Sequence, residues 1–178
     1  MMHSLTLGRC RALALGAVIG LCAGTTAQAQ QRPDDAQEAA SRVSAPPYDA
    51  SRALSFDASK DYSLRFAVDP ATVTREPDGE LRYVVIARGS GGAQTALYDG
   101  MRCISGQYTT YARASANGGW SSVTKPEWRS VFDDKAPALY PKYLTYFMCN
   151  EDGTPALARE AAYYLRSGTN PTRLQGNR

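Results

Sequence analysis

The chain has 178 residues and a formal net charge of +3, with 20 Lys and Arg against 17 Asp and Glu. Two of those arginines, Arg9 and Arg11, lie in a leader-like segment without acidic residues, so residues 30–178 carry only +1. That balance gives a nucleic-acid role no electrostatic footprint. The single histidine, His3, also falls in the leader, so the remainder cannot assemble Ser-His-Asp or Cys-His catalysis. It also lacks the imidazole that catalytic zinc sites usually include.

Arg9 and Arg11 begin a tripartite pattern: the apolar run "ALALGAVIGLCAG" (12–24) follows, then "AQA" (27–29), with small residues at −3 and −1 of a cleavage site. A signal peptide over 1–29, cut after Ala29, and export to the periplasm are expected. The run is shorter than the roughly 20 residues that span a bilayer. Lipid anchoring at Cys22 would want a small residue before the cysteine, where Leu21 stands. Residues 30–52 are polar, contain prolines and show no apolar period, which reads as a disordered linker. One domain is expected over 53–168, with a flexible tail at 169–178.

Within that domain, "YSLRFAV" (62–68) alternates with Leu64, Phe66 and Val68 on one face, and "TVTRE" (72–76) offers a shorter strand after the "DPA" break. "LRYVVIAR" (81–88) is apolar on both faces, the mark of a central strand covered on each side. "AQTALYDGMRC" (93–103) contains Gly100, which signals a bulge or a close backbone approach. "QYTTYARA" (107–114) sets Tyr108 and Tyr111 on opposite faces, and Asn117-Gly118 predicts a hairpin turn before "GGWSSV". A helix is expected over 125–132, where Pro126 precedes Trp128 and Phe132 spaced by one turn. A second is expected within 137–150 on Tyr140, Leu144, Phe147 and Met148, its start delayed by Pro141. A third is expected over 155–167, capped by Thr154, striped by Leu157, Ala161, Tyr164 and Leu165, and ended by Gly168. The whole reads as an α+β domain: an antiparallel sheet of about five strands with two to three C-terminal helices packed on it.

Cys103 and Cys149 are the cysteines left after cleavage, and an even pair in an oxidising compartment reads as a disulfide. Neither lies in a CxxC pair, so a metal site has no support. No cofactor loop is present, and "NEDGT" (150–154) lacks the repeated ligands of a calcium loop. Among the carboxylates, Asp99 beside Gly100 has the least ordinary setting for an acid of glycosidase type. Eleven tyrosines and two tryptophans would suit a binding platform, for which Arg102, Tyr111 and Arg113 are the candidate surface. Packing is the plainer role for such aromatics.

The ordered elements "GGA" (91–93), "YDGMRC" (98–103), Tyr108 and Tyr111, Trp120 and Trp128, and "YFMC" (146–149) resemble the cryptic neisserial protein (CNP-one-like) family across residues 53–167. The resemblance implies a periplasmic, sometimes lipid-anchored protein with no established activity, and it favours pairing of Cys103 with Cys149. The expected role is a non-catalytic envelope module that contacts an envelope protein, glycan or membrane component. A small carboxylate-dependent hydrolase of an envelope polymer and a lysozyme-type hydrolase inhibitor are the alternatives.

Overall fold

The computed structural model describes residues 43–58, 63–114, 119–133 and 139–173. Among these, the strands are β1 (Leu54–Phe56), β2 (Arg65–Arg75), β3 (Leu81–Arg88), β4 (Gln94–Arg102), β5 (Gln107–Ala114), β6 (Trp120–Ser122) and β7 (Arg129–Ser130). Two helices follow, α1 (Tyr140–Met148) and α2 (Ala158–Ser167). β1 to β6 form one antiparallel meander in chain order. β6 and β7 share the outer edge of β5, the first against Ala112–Ala114 and the second against Gln107–Tyr108. The α+β class is as expected, with a sheet larger than five strands.

β3 is the central strand that its pattern predicted. Leu81, Tyr83, Val85 and Ala87 join the core under the helices, while Val84 and Ile86 join a second core on the other face. The helix-side core adds Phe56, Phe66, Val68 and Met101 from the sheet, Leu144 and Met148 from α1, and Ala161, Tyr164 and Leu165 from α2. The second core joins Tyr98, Tyr111 and Ala112 to residues before β1: Val43, Ala45, Tyr48, Ala50 and Ala53. From Val43 on, the segment expected to be a linker is therefore a strap across the sheet. Its polarity hid this, because its backbone and charged groups make the attachment. Arg52 grips the buried Asp69 carboxylate at 2.6 and 2.8 Å, the Asp49 N–H donates to the same group at 2.8 Å, and the Trp120 indole N–H reaches the Pro46 carbonyl at 3.2 Å.

The two strands expected at 62–68 and 72–76 are one. Its pairing slips between Asp69 and Thr74, around Pro70, which has no N–H for the ladder. Side chains replace the missing bonds: the Ala71 N–H donates to the Asp69 carboxylate, and the Thr72 hydroxyl accepts the Val84 N–H at 2.9 Å. The helix expected over 125–132 does not form. Residues four apart share a face in an extended chain as well as in a helix, so the Trp128–Phe132 spacing fitted both. The free edge of β5 takes Arg129 and Ser130 as β7, and Phe132 is left 65% exposed beside Gly106.

Pro141 does not delay α1. It occupies the first turn, where its missing N–H costs nothing. α2 begins later than expected, at Ala158. Thr154 closes a turn with Asp152, Pro155 bridges to Cys149, and the Glu160 carboxylate accepts the Leu157 N–H at 2.9 Å to cap the helix. Leu157 thus falls outside the buried stripe, and Gly168 ends α2 with φ 70°. The expected tail is docked as far as Arg173: Asn170 is buried and donates to the Tyr146 and Cys149 carbonyls. The expected leader and cleavage site, the first part of the expected linker (30–42), the Asn117-Gly118 turn and residues 174–178 lie outside the described residues. No helix among the described residues is long and apolar enough to cross a membrane.

Candidate functional site

The Cys103–Cys149 disulfide is formed, with Cα atoms 5.5 Å apart. It joins the end of β4 to the end of α1, and so fixes the helix against the sheet.

The β4–β5 pairing contains the irregularity that Gly100 announced. Asp99 faces Thr110 and Tyr98 faces Ala112, which leaves Tyr111 as the extra residue of a bulge. Tyr111 therefore points, with Ala112, to the strap side. Gly100 also permits a close approach. A Cβ there would lie 2.6 Å from Glu80 Oε1 and 2.8 Å from the Tyr111 ring. That ring packs edge-on to Trp128, its hydroxyl donates to Glu80 at 2.8 Å, and Arg82 lies over its face. Burial, and then the Glu80 charge, push the Tyr111 hydroxyl well above its ordinary value.

The structure does not bring the three predicted surface residues together. Arg102 lies over the Trp128 ring at 3.9 Å on the strap side, and Tyr111 is buried there. The bulge sends Arg113 to the helix side, opposite Leu97.

On that side the helices leave part of the sheet uncovered by described residues. α2 packs on β1 and β2, and α1 reaches β2 and β4 through Tyr140, whose ring stacks on Phe66 at 4.7 Å. Beyond Tyr140, Leu97 is half-buried and Thr95 and Arg113 are exposed, although they belong to central strands. Two adjoining hollows result. One, of about 340 Å³, is lined by Tyr108, Thr110, Lys125, Glu127 and Arg129. The other, of about 380 Å³, is lined by Leu64, Phe66, Ala87, Ala93 and Thr95. Leu97, Arg113 and Tyr140 line both, so they make one groove with a charged end and an apolar end. Each hollow falls within the size range of small-molecule sites.

Behind the groove sits Asp99, fully buried, with the Tyr140 hydroxyl donating to its Oδ2. Burial drives its pKa up to about 6, and the Tyr140, Thr110 and Arg113 groups oppose this only in part. Neither Asp99 Oδ1 nor the neighbouring Tyr83 hydroxyl has a hydrogen-bond partner among the described residues. Tyr140 separates the carboxyl from the groove, and the acid that does line the groove, Glu127, pairs with Arg129 at 3.2 Å. Among the described residues, this groove therefore does not present two carboxyls to one substrate. Among the described residues, no group of three or more His, Cys, Asp or Glu side chains is placed to hold a metal ion.

A profile of the CNP1-like family matches residues 31–166. The chain belongs to that family. No curated protein and no solved structure matches the chain. In this CNP1-like chain, the elements that carried the resemblance mainly build the fold. Tyr98, Tyr111, Trp120 and Trp128 furnish the strap side, Gly100 admits Glu80, and the cysteines tie α1 down. The groove residues Leu97, Lys125 and Tyr140 were missed as a site. Leu97 carried the one available signal, an apolar residue on a strand face that the helices do not reach.

Proposed function

We propose that this CNP1-like protein is an exported, periplasmic binding module that holds a small envelope ligand in the groove on the helix side of β4 and β5. The carrying observation is the half-buried Leu97 between two hollows at the centre of an otherwise packed sheet. The leader pattern and the disulfide support export. A binding role fits the groove better than the hydrolase reading does, because Asp99 lies behind Tyr140, which leaves Glu127 without a second carboxyl lining the groove among the described residues.

Native mass spectrometry of protein isolated from its own compartment tests this. The intact wild-type protein, beginning at Gln30, should carry a small-molecule mass that Leu97→Arg loses while keeping its disulfide and its circular dichroism. Wild-type protein without any bound mass would overturn the groove's role. Release of peptidoglycan fragments that vanishes in Asp99→Asn would restore the hydrolase, and an acylated chain starting at Cys22 would replace the soluble module by an anchored one.

A further inference from the structure

We propose that the groove's ligand is a single-chain anionic amphiphile, its acidic head held by Arg113 and Lys125 and its alkyl chain laid along Phe66, Ala87, Leu97 and the Tyr140 ring. This rests on the groove being a binding site and goes on to name the ligand class. The two ends of the groove differ in chemistry. Among the described residues, one end carries Arg113, Lys125 and Arg129 with the acid Glu127, which is itself paired to Arg129. Among the described residues neither Arg113 nor Lys125 is in a salt bridge, and Arg113 feels the buried Asp99 only at longer range, so both cations stay open to an incoming anion. Both are exposed, and a fork-shaped guanidinium at the boundary suits a carboxylate or phosphate. The other end is walled by Phe66, Ala87, Ala93 and Leu97, with Leu64 39% exposed at its rim.

Arg113 lines both hollows, which places the charge at the junction rather than at a distant rim. A purely polar anion would leave the apolar end wet. A neutral alkyl chain would leave the cations unanswered. An anion with one alkyl chain satisfies both, and each hollow lies at the small end of the range for small-molecule sites.

Equilibrium titration of the purified, disulfide-bonded chain with dodecanoate, dodecyl maltoside, acetate and a hexaglutamate peptide tests the assignment. Dodecanoate should bind, and acetate and hexaglutamate should not. The double variant Arg113→Glu, Lys125→Glu should raise the dodecanoate Kd at least about tenfold, and Leu97→Arg should abolish binding. Arg113→Lys, which keeps the charge, should retain most of it. Dodecyl maltoside binding as tightly, untouched by the charge reversals but lost in Leu97→Arg, would overturn the anionic head while leaving the groove as a site. Binding of hexaglutamate in place of dodecanoate would overturn the alkyl chain. Failure of dodecanoate to bind overturns the proposal outright. In that case a co-purified mass still lost in Leu97→Arg would show that the groove itself survives as a site.

Discussion

Two buried aspartates, Asp69 and Asp99, show how differently the two faces of the sheet are held. Both are 0% exposed. Burial opposes the charge of Asp69, but the Arg52 fork and the Asp49 and Ala71 N–H groups outweigh it and hold the carboxyl below its ordinary value. On the helix side, Asp99 has the Tyr140 hydroxyl and weaker help from Thr110 and Arg113, so burial wins and its pKa rises to about 6. Neither carboxyl touches solvent, but Asp99 lies deep in the packed core and Asp69 shallower beneath the strap, so depth and partner together set the opposite shifts. The strap face spends a full ion pair on fastening a polar segment, while the helix face is fastened by apolar packing and a disulfide.

The largest way to break this comparison is to untie the helix face. Cys103→Ser with Cys149→Ser opens a closure of 46 residues. It should cost about 4 kcal/mol by chain entropy, read by denaturant unfolding against the oxidised wild type. A loss below about 1 kcal/mol would mean that packing alone holds α1.

The aspartates themselves come next, and pH separates them. Asp99 has a raised folded pKa, so ionising it at neutral pH costs stability, and that cost is relieved as pH falls from above 6 to below 4. The stability of wild type relative to Asp99→Asn should therefore rise by about 2 kcal/mol between pH 7 and pH 4. A flat difference would show that the carboxyl is not desolvated.

Asp69→Asn should behave in the opposite sense. Because the folded pKa of Asp69 is depressed, its contribution is complete above about pH 4 and is lost as pH falls through the folded value. At pH 7 the substitution should cost about 1–3 kcal/mol and should raise proteolysis before β1. An unchanged cleavage pattern would dissociate the ion pair from the strap.

The smallest effect sharpens the bulge that points Tyr111 away from the groove. Gly100→Ala must displace the Glu80 carboxylate, which is already engaged by Arg82 and Tyr111. A loss of about 1–2 kcal/mol is expected, with tyrosine fluorescence changed and dodecanoate affinity unchanged. A matching loss of affinity would tie the strap side to the groove.

By itself, the sequence determined the elements whose patterns admit one reading. Leu81–Arg88 is apolar on both faces and became the central strand. Ala161, Tyr164 and Leu165 packed against the sheet, and Cys103 and Cys149, the two cysteines outside the expected leader, joined. It also determined that Gly100 marks an irregularity, since only a missing side chain tolerates such an approach. Tertiary structure decided the rest, for reasons that lie outside each local window. Trp128 and Phe132 suit a helix or a strand, and the unpaired edge of β5 chose the strand. Residues 43–53 are too polar to declare themselves, and Asp69, Trp120 and the open sheet face made them a strap. Arg113 and Lys125 come together with Leu97 because one bulge reverses which side Arg113 faces and the helices stop short of β5, and no local pattern records that combination.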